Sequence, residues 1–507
     1  MLFPGGSLNP QRHFGWTGAV TELGGPGNTD DPSTPDPLYW TMAARWAPIR
    51  ACMEGTQYLR LNAETYLPRQ PMELEDSWRG RVSRSVFSPF LQKVIRTATG
   101  LILRKPVFLE GGDEAYWESW RLDVDRAGTD LDSFCRSVLT NALAYGHQSW
   151  LVDFPDTSNI RTLREQVDAQ LKPYFVQTNI WDVLGWRQDP REDAGKLQQV
   201  RIREVASVPK GRFGQEYKNR VRVLEPGKWE LFEAPGELGT TGWELIDSGR
   251  ISVSEVPLVT VYGSKLGTLF SDPPFEEIAQ LNLCHFARHA DLIQSLHVAA
   301  QPILILRGWD DSADPIGLSA NTALVMPPDG GAEYVSTDGG AFDAQRAELD
   351  MLVEQMSSLG IAIMSKQKNQ AESGLAKALD RTDSNAILSV VSKDLEKALQ
   401  QAINLAAEYA GVEPCEVIID RDFNVDPLSG NEITAINTIY TSGMIDQRTA
   451  LEMLKRGEVL GDDLDLDDII EMTEEDSMRD LEEQVDVLRE QSQPVIEEDA
   501  VEPDGEG

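Results

Sequence analysis

With 507 residues, 41% of them hydrophobic, the chain carries apolar material for a large folded core, on the scale of about three domain-sized pieces. A formal charge of −37 argues against the open basic groove that grips DNA phosphates, so any nucleic acid is expected to be handled without tight holding. The four cysteines, at 52, 135, 284 and 415, show no paired spacing and suggest neither a disulfide framework nor a thiolate zinc site, and the absence of an eighteen-residue apolar run or a basic-then-apolar start predicts a protein outside the membrane and not secreted.

Residues 1–45 are rich in Gly, Pro, Asn and Asp ("ELGGPGNTDDPSTPDPLYW") and read as an extended arm. From Trp46 to Gly100 the periodicity is helical, with Phe90, Val94, Ile95, Ala98 and Ile102 recurring at three to four residues. Between 147 and 265 the pattern changes to short alternating runs between Gly, Pro and Asp turns, and Val200, Ile202, Val221 and Val223 alternating with arginines mark half-exposed antiparallel strands. Three long helices are predicted next. The first, 274–300, opens on prolines and on Glu276 and Glu277, where the helix dipole favours acids. The second, 342–364, carries Phe342, Leu349, Leu352, Met356, Leu359 and Ile363 as a narrow seam suited to a nearly parallel neighbour. The third, 384–411, takes Asp383 or Ser384 as N-cap and Gly411 as its stop. A small strand-and-turn segment, 302–341, separates the first two.

The stretch "CHFARHADLIQSLH" places Cys284, His285 and His289 together, with the two imidazoles four apart on one helix. The usual helical zinc hydrolase has a Glu beside the first His as general base, and here Phe, Ala and Arg stand between the two histidines. Arg288 would also bring a cation to the metal. His289 falls on the apolar stripe between Phe286 and Ile293, so the expectation is a packed or interfacial histidine, no metal, no cofactor and no enzyme, with a metal-dependent hydrolase built on this cluster as the rival reading. Walker A, GxGxxG and GxSxG sequences are absent. "GDDLDLDDIIEMTEED" lacks the glycine and closing glutamate of a calcium loop and reads as a solvated charge run. From 462 to 507 there are 20 acidic residues against two basic, a composition expected to stay unfolded.

This order of elements, together with "ETYLPRQPMELEDSWRGRVSRSVFSPFLQKVIRTATGLILRKPVF" and "LAYGHQSWLVDFP", resembles the portal (head-to-tail connector) proteins of tailed bacteriophages over about residues 45–460. The resemblance implies an α+β, portal-like fold. It has a mixed wing at 46–265, a first stem helix within 266–301, a clip at 302–341 and a second stem helix at 342–364. A tunnel loop at 365–383, a long tunnel helix at 384–411, a wing return strand at 412–428, crown helices at 429–470 and an acidic tail at 471–507 complete it. It also implies a dodecameric homo-oligomer at one capsid vertex, assembled in the host cytoplasm and carried in the virion, through which double-stranded DNA passes without sequence specificity. The implied partners are the terminase large subunit, a head-completion or neck adaptor protein, and the major capsid protein or scaffold. On this sequence the DNA-channel residues would be Lys366, Lys368, Lys377 and Arg381. The clip residues facing motor or neck would be Arg307, Trp309, Asp310 and Asp311, and the helical seam named above would pack subunit against subunit. A ring-shaped neck or head-completion adaptor is the nearest alternative. Acidic outward faces bearing Glu276, Glu277, Asp291, Asp343, Glu348 and Glu354 suit a conduit, since each phosphate contact would act as a brake.

Overall fold

The computed structural model describes residues 30–155, 171–188, 196–300, 303–307, 329–335, 340–364, 374–421, 430–456, 459–460, 464 and 466–472. The chain divides into two units, Met1–Arg421 and Asp422–Gly507. The fold class is α+β.

In the first unit, helices α1 (Pro37–Glu54), α2 (Thr56–Leu61), α3 (Ala63–Tyr66), α4 (Glu75–Arg84) and α5 (Phe90–Ile102) come first. Helix α1 begins nine residues earlier than the periodicity suggests. The Asp36 carboxylate accepts the Leu38 N–H at 2.9 Å and Pro37 occupies the first turn, the standard start signal, which the surrounding Pro and Asp residues had disguised as arm. Residues 37–45 are thus folded, and Tyr39, Met42 and Ala43 join Trp46 and Ile180 in an aromatic-rich core cluster.

Strand β1 (Phe108–Glu110), helices α6 (Glu114–Trp120) and α7 (Leu131–Tyr145), and strands β2 (His147–Asp153) and β3 (Tyr174–Gln177) follow. Gly146, at φ 93°, ends α7 in the left-handed conformation, and a Cβ there would meet Ser271 and Asp272, so the turn into β2 requires glycine. Strands β4 (Val183–Gln188), β5 (Leu197–Lys210), β6 (Gly214–Glu225), β7 (Lys228–Glu233) and β8 (Glu244–Arg250) form a five-stranded antiparallel sheet in sequence order. The next strand, β9 (Leu258–Tyr262), returns to β2 and makes the order β3-β2-β9 in a three-stranded sheet, and β10 (Lys265–Gly267) pairs with β11 (Phe270–Ser271). Val200, Ile202, Val221 and Val223 are all buried, but on opposite faces of the sheet: Val200 and Ile202 pack in one cluster with Leu224, and Val221 and Val223 in another with Leu184.

Then come α8 (Glu276–Ala299), a two-stranded sheet of β12 (Ile303–Arg307) and β13 (Gly331–Val335), α9 (Gly340–Met364), and α10 (Gly374–Ala410). The last of these starts ten residues before the expected Ser384. Nothing in 374–383 forbids a helix: Ala376, Lys377, Ala378 and Leu379 are strong helix formers, and Asp383 and Ser384 sit inside it instead of capping it. Strand β14 (Glu416–Ile418) pairs antiparallel with β1. In the second unit, α11 (Gly430–Thr441) and α12 (Gln447–Arg456) form a hairpin through a turn at Gly443 and bury Ile436 and Ala450.

Candidate functional site

Helices α8 and α9 form an antiparallel hairpin, with β12 and β13 in the connection between them. Its register follows from two contacts. The Arg288 guanidinium meets Glu348 at 3.1 Å, and a Cβ on Gly360 would lie 3.8 Å from Ile278, so residue numbers rise on one helix as they fall on the other. At 24 and 25 residues each helix is roughly 36 Å long. Leu349, Leu352 and Met356, on the face expected to hold a neighbouring subunit, are 8%, 6% and 2% exposed within the chain itself. Their spacing specifies a stripe without naming its partner, and the structure packs α9 on α8, α5 and α10 of the same chain. Among the other seam residues Phe342 is half-buried, Leu359 is exposed, and the Ile363 side chain lies outside the described residues.

The base of α8 is tied to the N-terminal helices by polar groups. Helix α5 has Pro89 at its N-cap position and no capping side chain of its own. Asn282, fully buried on α8, supplies one from outside, its amide oxygen accepting the Leu91 N–H at 3.2 Å while its NH2 donates to Ser88 O at 2.9 Å. The Arg81 guanidinium, 5% exposed, bridges Glu73 at 2.9 Å and Asp291 at 3.2 Å and donates to Pro68 O. The hydrogen bond from Arg81 holds the Glu73 carboxyl below the usual carboxylate range, whereas burial pushes Asp291 up despite Arg81. Arg45 on α1 pairs with both Asp272 and Glu276. Four of the six acids expected to line a free acidic face are therefore paired, Glu276 with Arg45, Asp291 with Arg81, Glu348 with Arg288 and, at an exposed position, Asp343 with Arg346 at 3.6 Å. Glu277 and Glu354 are exposed.

His285 and His289 stack at 5.8 Å between ring centroids, and the Phe90 edge meets His285 at 5.4 Å. Burial, and then the neighbouring His289, lowers the His285 pKa. Cys284 is exposed, and no group of three His, Cys, Asp or Glu side chains able to hold a metal occurs among the described residues. His285 is packed into the α5–α8 contact through Phe90, and His289 lies against it.

At the far end of the hairpin Arg307 is exposed and pairs across the strands with Glu333 at 2.8 Å. Trp309, Asp310 and Asp311 lie outside the described residues, as do Lys366 and Lys368. Lys377 and Arg381, expected in the tunnel loop, belong to α10. Helix α10 buries Leu388, Val391, Leu395, Ala398, Ala402 and Leu405 and packs against β9, β2 and β14, returning the chain to the mixed body. Among the described residues no helix is long and apolar enough to cross a membrane.

A family model described as a domain of unknown function (DUF4055) matches residues 274–410, from two residues before α8 to the last residue of α10. No curated protein matches the chain. Among solved structures, the chain is similar to one in the virion of a native gene transfer agent particle, at 12% identity and a TM-score of 0.38, over 78% of this chain and 98% of that one. Similar chains occur in the neck of the native particle with C12 symmetry, at 12% identity and a TM-score of 0.37 (78% and 98% covered), and in the neck of the empty particle with C6 symmetry, at 11% identity and a TM-score of 0.38 (79% and 98% covered).

Proposed function

We propose that this chain is a non-enzymatic, portal-type ring protein, a conduit for double-stranded DNA at a capsid vertex that docks a packaging motor and later a neck. The observation that carries the reading is the antiparallel hairpin of two helices roughly 36 Å long with a two-stranded sheet in its connection, followed by a 37-residue helix that returns to the α+β body. A projecting hairpin of this length gives each subunit a pillar, and copies set side by side make the wall of a channel. The sequence stretches quoted above resemble the same family, and the charge of −37 suits a wall that DNA must slide past. Because Leu349, Leu352 and Met356 are covered within the chain, subunit contacts fall to other surfaces. In this reading Lys366, Lys368, Lys377 and Arg381 meet phosphates weakly and transiently. Electron microscopy of the purified protein tests the proposal: rings with a central hole are expected, and a uniformly monomeric or solid particle would overturn it.

A further inference from the structure

Strands β5 and β6 are longer than their sheet. They pair from Val200↔Leu224 to Lys210↔Gly214, whereas β4 accompanies β5 only to Ile202 and β7 accompanies β6 only to Arg220. The segment 234–239 supports the ribbon a little further, through Ala234 N–H to Asn219 O and Leu238 N–H to Tyr217 O. Beyond that, the rungs Val208↔Glu216, Pro209↔Gln215 and Lys210↔Gly214 have no neighbouring strand among the described residues, a projection of about 10 Å. At its tip Gly211 turns the chain at φ 73°, Phe213 is 88% exposed, and the Arg212 guanidinium lies 4.9 Å from the centre of the Phe213 ring. Lys210 is engaged with Glu216, while Arg212 has no carboxylate partner among the described residues. One free cation with one aromatic ring is too little charge to hold a polyanion. It fits a protein surface that offers an apolar patch beside unpaired carboxylates.

This chain presents such a surface. Along the segment 61–76, Leu61, Met72 and Leu74 are 78%, 98% and 77% exposed. Met72 is held at φ 66°, a left-handed backbone uncommon for a residue other than glycine, with its side chain in solvent. Glu64 and Asp76 in the same segment have no cation partner among the described residues. The segment flanks α8, through Arg81 to Asp291, and the ribbon belongs to the five-stranded sheet, so the two surfaces sit on different elements of one unit. We propose that the β5–β6 ribbon is an arm that docks Arg212 and Phe213 on the α3–α4 segment of a second copy of this chain. The charge is complementary, and a contact between two different surfaces of identical chains repeats from copy to copy, closing into a ring when the rotation it sets divides a full turn. The inference rests on the ring assembly proposed above and names its contact.

The test places the photo-crosslinker p-benzoyl-phenylalanine at position 213 and mixes ordinary with heavy-nitrogen-labelled chains before irradiation. Crosslinks between light and heavy chains that map to residues 61–76 are expected. In parallel, Phe213→Ala and Arg212→Glu are expected to leave the circular dichroism spectrum unchanged and to raise the concentration for half-assembly by about tenfold, as loss of an interface anchor does. Asp76→Arg is expected to restore assembly to the Arg212→Glu variant. Rings that form without this crosslink, or with position 213 joined to any other peptide or to DNA, overturn the arm and leave the ring. A wild-type protein that stays monomeric overturns both.

Discussion

Gly360 sits where α5, α8 and α9 converge, and its missing side chain sets how closely they approach. A methyl group there would lie 3.0 Å from Cγ2 of Val94, closer than ordinary van der Waals contact. Val94 is 5% exposed and, being β-branched on a helix, has little freedom to rotate away. For Gly360→Ala two effects oppose each other: about 1 kcal/mol gained from helix propensity, against about 1–3 kcal/mol lost by overpacking. The net expectation is a change between nothing and about 2 kcal/mol of destabilisation. Val94→Ala alone removes buried methyl groups and is expected to cost about 1–3 kcal/mol. The double variant returns a methyl group to the vacated space and releases the propensity gain, so it should lose less than the two singles together by about 1–2 kcal/mol. Urea unfolding followed by tryptophan fluorescence measures all four proteins; the chain has twelve tryptophans, several of them in the core. Additivity within about 0.3 kcal/mol would refute the argument that close approach at this point makes the glycine necessary.

Two further perturbations follow from buried polar groups. Arg81→Met leaves Glu73 and Asp291 without their shared cation, and the same unfolding assay should show a loss of about 3–5 kcal/mol, far more than a surface ion pair gives up. His147, buried beside Ser271 with Nδ1 2.7 Å from its hydroxyl, has its pKa pushed down by burial to about 4 from an ordinary 6.5. The unfolded chain therefore binds the proton more readily than the folded one. Stability from this residue is present in full above about pH 6.5, declines as pH falls, and has lost about 3 kcal/mol by pH 4. His147→Asn should flatten that part of the pH profile, and an unchanged slope between pH 6.5 and 4 would exclude the assignment.

Periodicity was most informative where one physical requirement acted alone. The long helices and the half-buried strands each have one apolar face, and Val200, Ile202 and Val391 carry that signal directly. It was least informative where the same residue could satisfy two structures. Asp36 and Pro37 suit an arm as well as a helix start, and Asp383 and Ser384 suit a cap as well as a helix interior. The stripe through Leu352 is real, but a stripe does not identify the surface that covers it. Asn282 and Arg81 were illegible for another reason. Their partners lie 191 and 210 residues away, and a polar residue on a helix carries no mark in the sequence of whether it faces water or a distant amide. The ribbon tip at Phe213 could have been suspected from "PKGRFGQ", an aromatic residue placed inside a basic turn.

The pairing of β1 with β14 sets an order of events during synthesis. Phe108 stands opposite Ile418, the Trp117 indole donates to the carbonyl of Glu413 at 2.9 Å, and Lys105 meets Asp420 at 2.9 Å. A nascent chain that has left the ribosome only as far as α9 must hold this edge open, with Trp117 lacking its acceptor and β1 lacking its only strand partner among the described residues. At synthesis rates of about 5–20 residues per second that wait lasts on the order of 15–60 s, during which the unpaired edge is exposed to other nascent copies. β14, the last described strand of the first unit, is thus a latch that closes only once residue 418 has emerged.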